Sequence, residues 1–436
     1  MSNAGPKRAV LAALSLHADL SGLRTFPSLD SANGRHLLRW LDWSGLALVL
    51  LRRLQTSDAT TSVSSEWREA LTHRLEHNVD RMRDMLQEFK HLNDAFRGHA
   101  IVAVALKGFT LAPDFCGDLT LRHQTDFDFL VHEDSVARAA VALQACGYST
   151  SRLNTTGESC FLTPLRHIPS AHDDLYALQR QRQVDLHTSI WEHSAFLNLE
   201  APHDCLEQAQ LQTIDGVDFL ALSLPDKFIL QVLHVFRHSF RSWIRLSWLL
   251  EIARCMELHQ DDTALWTRIM ERAGSTRLTK GIFAFVVQLV TRLFHISVPA
   301  PLQRWTTDTT TRALRAWLDA FAVDWAVSDW PGSLTNLFLA AEFIPERKLR
   351  IQYFRSRLFP KKSHSSLGPV TTASRGMFFK LQTARLTYVA QRSAVHLKNI
   401  FNLTVQHLRW RRALNMSSND VVSTFVSKGA PGPTES

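Results

Sequence analysis

Residues 126–131 read Asp-Phe-Asp-Phe-Leu-Val. Successive side chains of a β-strand point to opposite faces. As a strand, this run places Asp126 and Asp128 on one face and Phe127, Phe129 and Val131 on the other. It therefore needs an apolar layer behind it and a polar cleft in front. Upstream, residues 101–106 (IVAVAL) form a short apolar run between Gly98 and Gly108. That length predicts a buried strand rather than a helix. Residues 110–115 predict a short helix or turn. Downstream, residues 133–146 predict an amphipathic helix with Val136, Ala140 and Leu143 on its apolar face and Gly147 as its left-handed stop. Residues 183–190 predict another strand, in which Val184, Leu186 and Thr188 alternate against Asp185, His187 and Ser189. Asp185 is thus expected on the same polar side as the two earlier acids.

Helical patterning surrounds this centre. Met82, Met85, Leu86, Phe89, Leu92 and Phe96 recur at three- and four-residue intervals, predicting helix up to residue 98. The pattern returns at Leu224-Pro225-Asp226, where proline suits a first helical turn, and continues to the region of Trp330. The expected class is α+β. The expected division is an N-terminal helical region (1–98), an α/β core (99–222), a helical C-terminal domain with a basic tail (223–415) and a disordered tail (416–436). That last stretch is rich in Ser, Gly and Pro and has little to bury.

Composition excludes several classes. With 436 residues and 45% hydrophobic content there is ample material for a core. The apolar run 43–51 falls far short of the roughly 20 residues that span a bilayer, so no transmembrane segment is expected. The basic start at Lys7-Arg8 leads into an apolar stretch with no small-residue cleavage site, which predicts a first helix. Five scattered cysteines without a C-x-x-C pair suit a reducing cytoplasm, the expected location. The net charge of +8 is uneven: from Arg347 onward there are 16 Lys and Arg against two acids, leaving the rest near −6. The stretches FRSRLFPKK and LRWRRAL could attract nucleic acid or an anionic membrane, although a solvated basic helix face is the commoner outcome.

The acids carry the chemistry. Mg²⁺ prefers oxygen ligands in octahedral geometry, and carboxylates at i and i+2 of a strand offer them from a rigid base. A strand ending at glycine, then D-x-D on a second strand and a third acid on a later one, is what holding Mg²⁺ or Mn²⁺ beside a nucleoside triphosphate requires. Asp126, Asp128 and Asp185 are the candidate metal ligands and catalytic acids. In a two-metal site the ions lie roughly 3.5–4 Å apart. Gly108 lets backbone approach phosphate without a Cβ clash, and Thr110 adds a hydroxyl donor. Arg122 offers a planar fork and Lys107 a compact charge.

LKG at 106–108, Arg122, TDFDFLV at 125–131 and VDLH at 184–187 resemble the nucleotidyltransferase superfamily, and within it a bacterial, largely uncharacterised group. The likeness extends to Leu224–Ala253, which carries His, Arg-Leu-x-Trp-Leu and an acid. The resemblance implies a nucleotidyltransferase fold with a mixed sheet, flanking helices and a mostly helical C-terminal domain. It also implies transfer of a nucleoside monophosphate from an NTP, ATP among the candidates, with loss of pyrophosphate. The superfamily's phosphate-binding turn usually reads Gly-Ser or Gly-Gly, whereas this chain has Lys107-Gly108-Phe109. The acceptor is left open among small molecules, proteins and RNA. A non-catalytic scaffold in a biosynthetic or defence system, and a toxin-like transferase acting on tRNA, are the alternatives.

Other polar residues have plainer readings. A lone D-x-D is common on surfaces. Lys107 could be an exposed charge after a strand, and Arg122 could pair with Asp118 or Asp126. His187 reads as structural. His234 and His238 stand at i and i+4, but without the glutamate of HExxH or a third ligand they do not define a zinc site. Lys227, Arg237, Arg241 and Arg245 could line the cleft or simply face solvent.

Overall fold

A computed structural model of the chain describes residues 4–15, 19–57, 62–154, 157–163, 175–176, 181–191, 197, 199, 202–241, 244–329, 333–358, 393, 397, 401 and 403–415. The tail expected at 416–436 lies outside these residues. So does the Lys361-Lys362 part of the basic region.

Among the described residues the first α-helices are α1 (Ala4–Leu14), α2 (Ala32–Ser44), α3 (Ala47–Thr56) and α4 (Ser65–Gly98). The Ser31 hydroxyl accepts the Gly34 N–H at 2.9 Å and so caps α2, which stops at Gly45 with φ +72°. α4 runs for 34 residues because no proline or internal glycine interrupts it. The Ile101 N–H closes its last turn onto Phe96 O at 2.9 Å. That bond removes Ile101 from the strand expected at 101–106, and β1 is only Ala103–Ala105.

After β1 come β2 (Asp126–Val131), α5 (Val136–Ala145), β3 (Ser149–Arg152), β4 (Glu158–Leu162), β5 (Gln183–His187), β6 (Gln210–Ile214) and β7 (Val217–Ala221). They form one seven-stranded sheet in the order β3-β4-β5-β2-β1-β7-β6. β2 runs parallel to β5 and β1 parallel to β7, while the other pairs are antiparallel, so the sheet is mixed. β5 ends at His187, where its register partners Leu130 and Glu158 end the ladders on both sides.

Among the described residues the helices that follow are α6 (Leu224–Arg241), α7 (Leu246–Leu258), α8 (Thr263–Ala273), α9 (Arg277–Phe294), α10 (Ala300–Thr307), α11 (Arg312–Ala326), α12 (Ala340–Phe343) and α13 (Arg347–Leu358). Residues 403–415 are also helical, and Trp410 stacks on Phe338 with centroids 5.5 Å apart. Among the described residues no helix is long and apolar enough to cross a membrane. The molecule is thus α+β, as its patterning predicts.

Two cores divide the sheet's faces. On one, Phe127, Phe129, Val131, Val184 and Leu186 pack against Met85, Phe89 and Phe96 of α4 and Val136 and Leu143 of α5. The Phe89 ring meets Phe109, Phe127, Phe129 and Phe219 at centroid distances of 5.1, 6.0, 5.7 and 5.0 Å. Burying each such ring is worth about 1.5–3 kcal/mol. This layer fixes the orientation of β2 and hence the direction of the side chains on its other face. There, Val104, Leu106, Leu130 and Leu222 join a larger core built with α6, α7 and α9. The acids lie on this second face, between sheet and helices.

Candidate active site

Asp128 and Asp185 are register partners on adjacent parallel strands, and Asp126 is paired with Gln183 one step along the same face. In-register neighbours in a sheet point the same way, so the three carboxylates share the side covered by α6 and α7. Asp128 and Asp185 are 7% and 6% exposed. Asp128 Oδ1 accepts hydrogen bonds from Lys107 Nζ and from His187 Nε2, each at 3.0 Å. Burial opposes its charge, but the Lys107 ammonium and the His187 hydrogen bond win and hold this carboxyl far below the usual range.

For its neighbours the compensation falls short: Lys107, Arg122 and Arg245 act on Asp126, and Gln183 and His187 on Asp185, without prevailing. Burial, and then the Asp128 charge, push Asp126 upward. The same two causes, in the same order, push Asp185 up to about 6. Gln183 Nε2 donates to Asp185 Oδ2 at 2.6 Å, whereas Asp185 Oδ1 is buried with no hydrogen-bond partner. A buried acceptor left unmade carries a desolvation cost of about 1–3 kcal/mol. Crowded carboxylates and one orphaned oxygen are what a cation would relieve, so the donor set fits Mg²⁺ or Mn²⁺ chemically. Among the described residues, however, no three His, Cys, Asp or Glu side chains are gathered closely enough to form a ready metal cage.

Gly108 has φ +68°, and a Cβ there would lie 2.3 Å from Gln124 Nε2. Gln124 in turn donates from Nε2 to Asp126 O at 2.8 Å. Glycine is thus dictated twice, by backbone conformation and by the amide packed over it. The following residues, Gly108–Leu111, form a short 3₁₀ turn. Thr110 within it is fully buried and its Oγ1 has no hydrogen-bond partner.

Arg122 pairs with neither Asp118 nor Asp126. Its Nε donates to Glu251 Oε1 at 2.9 Å, and Gln231 Nε2 donates to Glu251 Oε2 at 2.9 Å. Burial works against the guanidinium, yet Glu251 raises its pKa overall, with help from Cys116 and Asp126. Asp118 takes Arg52 instead, at 2.6 Å. α4 secures the loop behind: Asn78 Nδ2 donates to Thr120 O at 2.6 Å and Arg122 O at 3.1 Å, and an Arg81 guanidinium nitrogen donates to Gln124 O. Arg245 Nη1 donates to His123 O at 3.0 Å.

Of the four helical-domain cations that could line the cleft or face solvent, Arg245 reaches this loop. Arg237 lines a small cleft with Lys107, His187 and His234. Lys227 Nζ donates to Gln212 Oε1 at 2.8 Å, on β6. The Arg241 side chain lies outside the description. The His234 and His238 rings, with centroids 4.5 Å apart, both pack on Trp248 at 4.3 and 4.8 Å. Three contributors escaped the sequence reading as site residues: His187, Glu251 and Gln124. Local signals existed for His187, two residues after Asp185 on the same face, and for Gln124, two residues before Asp126; Glu251 is joined to the site only by tertiary packing.

A mixed sheet that offers carboxylates from two neighbouring parallel strands toward a helical lobe defines the nucleotidyltransferase-like class of fold. The chain matches the family model described as uncharacterised nucleotidyltransferase over residues 30–295, and it belongs to that family. The matched span holds every residue of the carboxylate site, and the family's general activity is nucleotidyl transfer. No curated protein and no solved structure matches the chain.

Proposed function

We propose that the chain transfers a nucleoside monophosphate from an NTP to an acceptor hydroxyl, with pyrophosphate as the leaving group. The observation that carries this reading is the placement of Asp126, Asp128 and Asp185 on one face of adjacent strands, with Asp185 Oδ1 buried and unpartnered. These three acids are the residues that would hold Mg²⁺ or Mn²⁺. Such an ion, when bound, neutralises phosphate charge and favours in-line attack.

The chain's own groups do the rest. Lys107 and Arg122 hold the phosphates, one as a point charge and one as a fork. Gly108 lets the backbone lie close to them. Asp185 accepts the proton of the acceptor hydroxyl as its oxygen bonds to the α-phosphorus. The bond between the α-phosphorus and the bridging oxygen breaks, and pyrophosphate departs with the electron pair.

A second reading, a non-catalytic binding protein on the same fold, rests on a specific observation. Both Lys107 and His187 already occupy Asp128 Oδ1. Titration of Mn²⁺ and of each NTP into the wild type and Asp128→Ala separates the two. Metal-dependent NTP binding that Asp128→Ala abolishes supports transfer; its absence in the wild type leaves the binding-protein reading. Incubation with α-labelled NTPs and a cell lysate then reports whether label enters RNA, protein or small molecules, with Asp126→Ala as the silent control.

A further inference from the structure

Away from the acid face, α3, the loop around residues 115–122 and α7 enclose a cavity of about 350 Å³. That is the size of a small-molecule pocket. Three cations line it: Arg52 of α3, Arg122 of the loop and Arg254 of α7. Between them lie apolar surfaces from Val49, Leu121 and Leu250, each only half-buried, and Leu250 packs against the larger core. Phe115, fully buried, backs the apolar side.

Its charges are arranged unevenly. Two of the three arginines are matched: Arg122 binds Glu251 at 2.9 Å and Arg52 binds Asp118 at 2.6 Å. Arg254 has no ion pair of that kind among the described residues. Its guanidinium lies over the loop backbone at Gly117, where a Cβ would stand 2.4 Å from Arg254 Nη2. The missing side chain at Gly117 is what admits the guanidinium to the cavity wall. The lining therefore carries one net positive charge beside an apolar recess. Cys116 adds a neutral polar wall, since its Sγ–H donates to Asp118 O at 3.1 Å.

We infer that this cavity is a second ligand site, and that it takes a small amphipathic anion whose carboxylate or phosphate meets Arg254 while its apolar body lies against Val49, Leu121 and Leu250. Arg122 is the shared wall. Its charge acts on Cys116 in the cavity and on Asp126 in the carboxylate site. Occupancy of the cavity is thereby placed one side chain from the acids. The inference does not depend on nucleotidyl transfer, because it is read from binding alone.

The test uses the full chain, first without metal or nucleotide and then with Mg-ATP as competitor, with the fluorescent amphipathic sulfonate 8-anilinonaphthalene-1-sulfonate as probe. Saturable one-site binding is expected, displaced by phenyl phosphate, by phenylacetate or by both, which distinguishes the two head groups. Arg254→Ala should weaken binding about tenfold or more, as loss of a charge-assisted bond does. Leu250→Trp, which fills the recess, should abolish it. Arg254 is exposed, so an unchanged thermal midpoint is expected in Arg254→Ala, and that variant stands if Leu250→Trp fails to fold. Absence of saturable binding in the wild type, or equal binding in Arg254→Ala, would overturn the inference. So would displacement by Mg-ATP that depends on Arg254, which would merge the cavity with the nucleotide site.

Discussion

Asp128 and Asp185 sit side by side in register on β2 and β5, yet only Asp128 is neutralised: Lys107 and His187 both bond its Oδ1, while Asp185 Oδ1 bonds nothing. The two acids should therefore answer the same substitution with opposite signs. Asp128→Asn leaves the Lys107 ammonium part-buried without its carboxylate and should cost about 2–4 kcal/mol. Asp185→Asn removes a repelled charge and should gain about 0.5–2 kcal/mol, while nucleotidyl transfer is lost. Urea denaturation in metal-free buffer reads both; destabilisation by Asp185→Asn would contradict the arrangement.

Gly108→Ala should destabilise by about 2–4 kcal/mol, combining the cost of a left-handed φ with the overlap against Gln124. Adding Gln124→Ala opens the space but does not change φ. The double variant should thus recover part of the loss and no more, as measured by denaturant midpoints. Full recovery would mean that the backbone conformation imposes no constraint.

Glu251 joins loop and helix through Arg122 and Gln231. Glu251→Ala abandons a buried guanidinium and should cost about 3–5 kcal/mol. A double-mutant cycle with Arg122→Ala should give a coupling above about 1 kcal/mol. A coupling near zero would show that the pair does not act as a unit.

His234 supplies a pH signature. Burial first, and the Lys107 charge next, hold its imidazole well below 6.5, with His238 and Arg237 acting in the same direction and Asp128 against them. The unfolded chain takes up a proton near pH 6.5 that the folded chain refuses, so stability falls as pH drops below that value. The slope from this one group is at most about 1.4 kcal/mol per pH unit. His234→Gln should flatten the acid limb of the stability profile between pH 6.5 and 5 by up to that amount. An unchanged slope would mean that His234 titrates normally when folded.

What could be read from sequence follows from what is encoded locally. Alternation in 126–131 and 183–187 fixes which side chains share a face, and that is enough to bring Asp126, Asp128 and Asp185 to one side once the strands pair. The helical periods of α4 and of α6 onward are equally local. The turn at Asp215-Gly216, with φ +48° and +76°, also carries a local sign in its Asp-Gly pair. It marks the hairpin of β6 and β7, which the strand assignments from sequence do not include. The choice of Glu251 by Arg122 is different in kind, because the two lie 129 residues apart. No periodicity selects between Asp118, Asp126 and a distant glutamate; only the packing of α7 against the loop does. The strand at 101–106 shortens for a similar reason, since a helix end captured the amide of Ile101.

The length of α4 has a mechanical consequence. Its first turns bury Trp67 and Leu71 in the core shared by the helices, and its last turns bury Phe89 and Phe96 under the sheet. One uninterrupted rod is thus anchored in both hydrophobic bodies. Melting either body strips half of that rod of its support, and short isolated helices do not persist in water. Sheet and helical lobe are accordingly yoked, and a calorimetric trace of the intact chain should show them giving way in one transition rather than two.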